Sequence, residues 1–498
     1  MASKKIKPPK GTRDLYPEDV LRQRYITNAW RDASIRCGFE EIAGPTFETT
    51  DLYAVKSGEG ILGELFQAFS GKSDKEIEQV KATGQAPFAL RPEFTPTLAR
   101  MYAAHAKQLP KPCKWFTAGP YFRAERPQRG RLREFLQWNV DVIGVPGDES
   151  TPQSKAQMDC EVLECAIRFF DMLGLTPKNL DLKLNDRHLV NDLLETVGVA
   201  PALYDNALTL LDRREKLSPE AAQDMAENLG LSRAFFSQFD EAAEAYEDLD
   251  GIRGTQRRQI QRLQGLEQAL TTYNQLETMV LDEWCDPFAM NVVRGLAYYT
   301  GTVFEALADG ERAVAGGGRY DNLIELFGGP PTPACGFGMG DVVLSNLLDD
   351  KELMPTGVEL MDAVARPQAS IRPVAFVVPN GDEDNEPLVH TLTANLRRGI
   401  ESESWLARDD RKPWNKDRYT VDPMHARISY KSTRKINKLK ADASNQHAKF
   451  FVEIHADNKV ELSNMDTGES ITSSTHGSFS VDPAAENYIG KAIAQRLV

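Results

Sequence analysis

The sequence predicts a multidomain α/β protein, and three stretches predict it. Residues 114–145, KWFTAGPYFRAERPQRGRLREFLQWNVDVIGV, read as two β-strands joined by a loop crowded with arginine. Residues 201–283 carry an almost wholly helical pattern rich in Ala, Leu, Glu, Gln and Arg. Residues 372–498 open on a buried-type strand, RPVAFVVPN, and then alternate helix and strand signals as a separate α/β domain does. With 498 residues, 41% of them hydrophobic and 27% charged, the chain is long enough for several domains around large cores.

In chain order, PPKGTRDLYP (residues 8–17) is a rigid, turn-rich entry, and Glu18 to Cys37 has the apolar spacing of a helix ended by Gly38. GFEEIAGPTFETTDLY (38–53) reads as a strand interrupted by Pro45. A proline cannot donate to a ladder, so this strand is either a plain edge or a subunit contact. Ser70 to Gln85 is polar and reads as an exposed connection. In PFALRPEFTPTLARMYAAH a short strand ends at Arg91 and a helix begins at about Thr95. Glu93 and Thr95 therefore stand at a strand-to-helix junction, where they cap the helix, point into a cleft, or do both.

The arginine-rich hairpin follows. Alternation puts Phe135, Gln137, Asn139 and Asp141 on one face of its second strand, and Leu136, Trp138, Val140 and Val142 on the other. Arg123, Glu125, Arg126, Arg129, Arg131 and Arg133 crowd the turn. Either this is a solvated charged tip or the guanidinium forks meet a polyanion, and the polar face in register with them favours a ligand. Next come a helix over 156–173, the strand LDLKLND and a helix ending near Gly198. Within the helical stretch, Arg253 to Arg262 is as easily a solvated face as an RNA contact.

Strand signals resume with VVRGLAYYTGTVFEAL (292–307). There Arg294 beside Tyr298 and Tyr299 either holds a carboxylate or phosphate or simply stacks at the surface. The glycines of AVAGGGRYD let a backbone approach a ligand or a neighbouring strand, but they fit neither a P-loop nor a Rossmann turn. PACGFGMGD reads as a strand, Ala334 to Met339, running into a helix with Gly340 and Asp341 at the junction. Lys351 to Ile371, with two prolines and no period, is the linker candidate. The expected organisation is a core in two parts (1–200 and 284–350), a helical insertion (201–283), a linker (351–371) and a C-terminal domain (372–498).

In that last domain, basic residues run from Arg408 to Lys440 with Trp405, Trp414, Tyr419 and Tyr430 interleaved. The stretch either contacts RNA or forms a solvated face. The net charge of −14 argues against indiscriminate nucleic-acid binding but allows local basic patches. Six cysteines without CxxC or Cys/His spacing read as reduced thiols, with no metal site expected. No apolar run is long enough to span a membrane and the N-terminus lacks a secretion signal's apolar core, so a cytoplasmic protein is expected.

Taken as an ordered set, KGTRDLYP, GFEEIAGPTFE, LRPEFTPTLARMY, FRAERPQRGRLREFLQWNVDVIG, VVRGLAYYTGTVFEA, GGGRYDNLIELFGG and ACGFGMGD resemble the class II aminoacyl-tRNA synthetases, specifically the histidyl-tRNA synthetase family. These motifs run from residue 10 to about residue 345. The resemblance implies a six-stranded antiparallel catalytic sheet flanked by helices, a homodimer built partly through the Pro45 region, and a C-terminal anticodon-binding α/β domain. It implies activation of L-histidine by ATP with Mg²⁺, the ion not tightly held by protein ligands, and transfer of histidine to tRNA(His). Residue by residue, Arg123 would hold the α-phosphate and substrate carboxylate, Glu125 the adenine amino group, Phe135 the adenine face and Arg131 the outer phosphates. Histidine would lie among Glu93, Thr95, Gln137, Asp141, Tyr298, Tyr299 and Tyr320, with Arg294 at the α-phosphate.

Two features depart from the family pattern. Val343 stands three residues past Gly340, where class II enzymes carry an arginine, and Asp409 to Arg427 is an insertion or strong divergence. A rival reading is a catalytically silent paralogue such as the regulatory subunit of ATP phosphoribosyltransferase. The retained Arg123, Glu125 and C-terminal domain argue against it. An RNA-binding module without chemistry would leave Glu93, Gln137 and Asp141 unexplained.

Overall fold

The computed structural model describes residues 6–57, 63–214, 217–244, 264–286, 289, 299–308, 313–381, 385–455, 459–473 and 478–497. Arg294, Tyr298 and the run Arg253 to Arg262 lie outside the described residues.

Helix α1 (Pro17–Arg36) starts on a proline at its first position, with Asp19 accepting from the Tyr16 amide at 3.0 Å. It buries Ile26, Trp30 and Ala33 and ends before Gly38, whose φ of 79° only glycine adopts cheaply. The stretch around Pro45 is two short strands in different sheets, β1 (Glu40–Glu41) and β2 (Phe47–Thr49), rather than one interrupted strand. After α2 (Thr50–Ser57) and β3 (Gln67–Ala68), the expected polar connection contains an exposed helix, α3 (Asp74–Thr83), closed by Gly84 in the left-handed region. Strand β4 (Phe88–Leu90) pairs with both β2 and β3, and α4 (Thr95–His105) follows. Phe94, not Thr95, occupies the N-cap of α4, so Thr95 is the first helical residue.

The hairpin is β5 (Cys113–Phe122) and β6 (Glu134–Ile143), paired from Cys113 with Ile143 to Phe122 with Glu134. Then come α5 (Pro152–Met172), β7 (Asp181–Asp186) and α6 (Arg187–Thr196), followed by α7 (Tyr204–Arg213), α8 (Pro219–Asn228), α9 (Phe235–Glu244) and α10 (Gln264–Thr278). Asp186 caps α6 by accepting from the His188 amide at 2.8 Å. The chain returns through β8 (Cys285–Asp286), β9 (Thr302–Leu307), β10 (Ala315–Arg319), α11 (Leu323–Leu326), β11 (Ala334–Gly340) and α12 (Asp341–Asp350).

The strands assemble into a sheet of order β1-β5-β6-β11-β10-β9-β7-β8. Every pair between β5 and β7 is antiparallel, which gives the expected antiparallel sheet, and β1 and β8 extend it in parallel. Trp138 sits at its centre with no exposed surface, packed on Trp30, Phe169 and Phe337, and its indole N–H donates to Ser34 Oγ at 3.0 Å. Val140 and Val142 share that core, as the alternation requires. Burying each such side chain stabilises the fold by about 1.5–3 kcal/mol.

The stretch expected as a linker contains a helix, α13 (Gly357–Val364), whose Leu360 is buried in the same core as α1. Beyond it, β12 (Ala375–Pro379), α14 (Glu386–Arg398), β13 (Ile400–Glu401), α15 (Glu403–Leu406), β14 (Tyr419–Val421), β15 (Ala426–Ile428), α16 (Ile436–Asn445), β16 (Phe450–Ile454), β17 (Val460–Asn464), β18 (Ser470–Ile471) and α17 (Ile489–Ala494) complete the described elements. Five of these strands form a second sheet, β15-β12-β16-β17-β18, with a core of its own.

Of the basic stretch read as a nucleic-acid face, Arg418 and the tryptophans are spent inside the protein, while most of its other cations stay at or near the surface. Trp405 and Trp414 are only 7% and 9% exposed. Arg418 is buried between Asp171 at 3.1 Å and Glu401 at 2.9 Å, Arg408 pairs with Asp417, and the Tyr430 hydroxyl donates to Glu161 at 3.1 Å. Desolvating a cation is tolerable only where carboxylates meet it, and for Arg418 one of them, Asp171, comes from a distant part of the chain.

Candidate active site

The face of β6 opposite Trp138 carries Phe135, Gln137, Asn139 and Asp141. Register explains why it is a recess: Gln137 lies opposite Gly340, Asn139 opposite Gly338 and Asp141 opposite Gly336 on β11. A Cβ at Gly336 would stand 2.0 Å from Asp141 Oδ1, and one at Gly338 would stand 2.3 Å from Gln137 Nε2. At Gly318 of β10 a Cβ would meet the Tyr299 ring at 3.0 Å. Glycines at these rungs let polar side chains lie flat across the sheet, a close approach no other residue permits.

At the hairpin end, Arg123 lies over the Phe135 ring at 5.1 Å and its Nε donates to the Pro92 carbonyl at 3.3 Å. Burial lowers the pKa of its guanidinium, while the nearby Glu93 and Glu125 carboxylates work the other way. Arg131 pairs with Glu125. Arg123, Arg131, Phe135 and Gln137 line one cavity of about 250 Å³ with Gly316, Gly338, Gly340, Val342 and Val343. Gln137 donates to Asn139 Oδ1 at 3.3 Å, and its own Oε1 is buried without a hydrogen-bond partner, an acceptor offered to an N–H.

Asp141 does not line that cavity. It lies two rungs farther from Gln137 on the same face, 6% exposed, and accepts from the buried Tyr320 hydroxyl. Glu93 links the two ends, since its charge acts on Arg123, on Tyr121 and on Tyr299. Burial first, then the fields of Cys335, Glu93 and Asp141, push the Tyr299 phenol up, so it stays a protonated donor at neutral pH. The arrangement joins an arginine-and-aromatic recess, suited to a nucleotide, to a carboxylate, amide and phenol recess, suited to a polar ring with N–H donors.

Three groups had no individual role in the sequence reading, although Asn139 was placed on the polar face. Asn139 donates to the Tyr121 hydroxyl at 3.2 Å and walls the recess. Arg91, 5% exposed, is fixed to the Pro120 carbonyl at 2.8 Å and the Gly44 carbonyl at 3.2 Å and lies over Tyr121. The third is the glycine floor itself, whose signal was present: Gly336, Gly338 and Gly340 alternate along a strand, so all three fall on one face. Asp341, at the junction of β11 and α12, accepts from the Leu136 amide at 2.9 Å and pairs with Arg13, tying α12 to the hairpin.

Comparison with known proteins identifies the family and the fold. Residues 11–341 match the family model described as histidyl-tRNA synthetase. The chain is 34% identical over 388 residues to a histidine–tRNA ligase of Arabidopsis thaliana described as chloroplastic/mitochondrial, covering 76% of this chain and 74% of that one. It is 35% identical over 401 residues to a histidine–tRNA ligase of Haloarcula marismortui, covering 79% and 86%. A solved histidyl-tRNA synthetase from Nostoc sp. PCC 7120 shares the fold, with a TM-score of 0.54 at 19% identity over 99% of both chains.

Proposed function

Because the chain belongs to the histidyl-tRNA synthetase family, it joins L-histidine to tRNA using ATP, and we propose how its own residues divide that work. Attack of the histidine carboxylate on the α-phosphorus forms one P–O bond and breaks another, releasing pyrophosphate. The step needs alignment and neutralisation of negative charge more than proton transfer. Arg123 neutralises the α-phosphate and carboxylate, Phe135 stacks on adenine, Glu125 receives the adenine amino group, and Arg131 leaves Glu125 to meet the outer phosphates. Val342 and Val343 line the cavity where the class otherwise places an arginine, so Arg131 and Arg123 carry the phosphate clamp.

Histidine lies against Gln137, Asp141, Glu93, Thr95, Tyr299 and Tyr320, and the family motif adds roles for Tyr298 and Arg294, which lie outside the described residues. The carrying observation is the unpartnered Gln137 Oε1 on the same sheet face as a carboxylate fixed by Tyr320, because a site built to pair ring N–H groups rejects apolar look-alikes strongly. Among the described residues no three carboxylate, histidine or cysteine groups stand close enough to hold a metal. Mg²⁺ would come with the ATP phosphates and supply charge neutralisation there. Glu305, in register with the cavity-lining Gly316, is the carboxylate that would face it.

The C-terminal unit receives the tRNA through cations left exposed, Arg411, Lys416, Lys435 and Lys438. A homodimer forms over the small β2-β4-β3 sheet, where the large apolar residues Phe47, Val55, Phe69 and Leu326 are exposed. The six buried, free thiols fit a reducing compartment such as the cytoplasm, and among the described residues no helix is long and apolar enough to cross a membrane. The test is exchange of pyrophosphate into ATP with each standard amino acid. Histidine alone should support it and Arg123→Ala should abolish it with an unchanged thermal melt. Exchange driven by another amino acid, or surviving in Arg123→Ala, would overturn the assignment.

A further inference from the structure

Where the catalytic sheet meets the C-terminal sheet, three buried cations gather on two buried carboxylates of α5. Lys114 of β5, Arg168 of α5 and Arg397 of α14 surround Glu161 and Glu164 of α5, and all five are 9% exposed or less. Lys114 Nζ donates to Glu161 at 2.6 Å and to the Cys37 carbonyl at 2.6 Å. Arg397 Nη1 donates to Glu161 at 3.1 Å and to Glu164, and its Nε donates to the Ala426 carbonyl at 3.0 Å. Arg397 Nη2 is buried and has no hydrogen-bond partner. His390 adds no negative charge; burial, against the pull of Glu161, lowers its pKa.

An excess buried carboxylate can take up a proton, as Asp186 is poised to do with a pKa raised by burial to about 7. An arginine has no such escape, so an unmatched guanidinium donor calls for an anion. The space for one is present. A cavity of about 390 Å³ is lined by Arg397, Lys114, Lys111, Arg427 and Lys431, with Glu40 and Asp442 the carboxylates in its wall. Both carboxylates already have cations, Asp442 with Lys431 at 3.1 Å and Glu40 with Arg427 at 3.5 Å.

We propose that this cavity binds a tetrahedral oxyanion, a phosphoryl group either free or esterified in a polynucleotide, with Arg397 Nη2 at its floor and Arg427 and Lys111 at its rim. The site is separate from the nucleotide recess and does not depend on the roles assigned there. It stands between α14 of the C-terminal unit and β5, the strand that leads to Arg123, so an occupant would tie the two units together.

The probe is inorganic phosphate, titrated against the unfolding temperature of the full chain with potassium chloride at matched ionic strength as control. A saturable rise beyond the chloride effect is expected. It should survive in Arg123→Ala, which removes the central cation of the nucleotide recess, and its midpoint should move to about tenfold higher phosphate in Lys111→Gln and in Arg427→Gln. Lys111 is exposed, so its variant tests the site even if Arg427→Gln disturbs packing. A response equal to that of chloride, unchanged in both rim variants, or lost in Arg123→Ala would overturn the proposal. Added tRNA(His) transcript that displaces phosphate assigns the occupant to a backbone phosphate, and independent binding assigns it to the free anion.

Discussion

Replacing Arg397 with methionine tests the junction between the two sheets most sharply. The substitution nearly keeps the volume but withdraws, among the described residues, the only hydrogen-bond donor to Glu164 Oε2, a cation on Glu161, and the bond to the Ala426 carbonyl. Glu164 would be left with Arg168 alone, at 3.5 Å. With Glu161 and Glu164 1% exposed or less, the loss should be about 3–5 kcal/mol, the cost of breaking a buried pair from one side. Adding Glu164→Gln should return about 1–3 kcal/mol, because the stranded charge is then gone.

Acid provides a second reading of the same cluster. Burial raises the Glu161 carboxyl, but Arg397 and Lys114 outweigh it and hold its pKa at about 2, against 4.5 for the free group. A depressed carboxylate contributes stability above the unfolded pKa and loses it as pH falls through the folded one. The parent should therefore lose stability between about pH 4.5 and about pH 2, and Arg397→Met should lose less there. Urea melts at neutral and acidic pH measure both effects. A variant within about 0.5 kcal/mol of the parent at neutral pH, the range of surface substitutions, would refute the reasoning.

His425 is 2% exposed, accepts from Arg427 Nε at 3.0 Å and hence donates through Nδ1 to the Ser370 carbonyl at 2.9 Å, while burial first and then Arg427 depress its pKa to about 3. As pH falls from 6.5 toward 3 the unfolded chain takes up a proton that the native one lacks, so stability should fall by up to about 1.4 kcal/mol per pH unit, and urea midpoints of His425→Gln should show a shallower slope. Val280 closes α10 with φ 57°, its amide donating to the Glu277 carbonyl and that of Leu281 to the Leu276 carbonyl, a glycine-type C-cap. Val280→Gly should stabilise the protein by about 1 kcal/mol in thermal melts, and destabilisation would show that the valine contacts matter more. Gly336→Ala places a Cβ against Asp141, so the KM for histidine in pyrophosphate exchange should rise about tenfold or more while that for ATP holds, and equal shifts in both would count against Asp141 as a histidine contact.

The hairpin was legible because strand alternation is local. Gln137, Asn139 and Asp141 face away from Trp138, Val140 and Val142 whatever else the chain does, and glycines and prolines punctuate α1, α4 and the start of α12. Short helices such as α3 and α13 were not legible, since eight to ten residues hold a helix mainly when something packs on them, as the core around α1 does on Leu360. Nor could it be read which residues between Trp405 and Lys440 face inward. The composition there is that of a surface that grips RNA, yet Arg418 and Tyr430 are claimed by Asp171 and Glu161, hundreds of residues upstream. Sequence alone determined which face of each element is apolar and which family motifs it carries, because both are written in neighbouring residues. Only the tertiary structure decided which charges are buried and which meet solvent, because a side chain's partner is set by whatever the fold brings within a few ångströms of it.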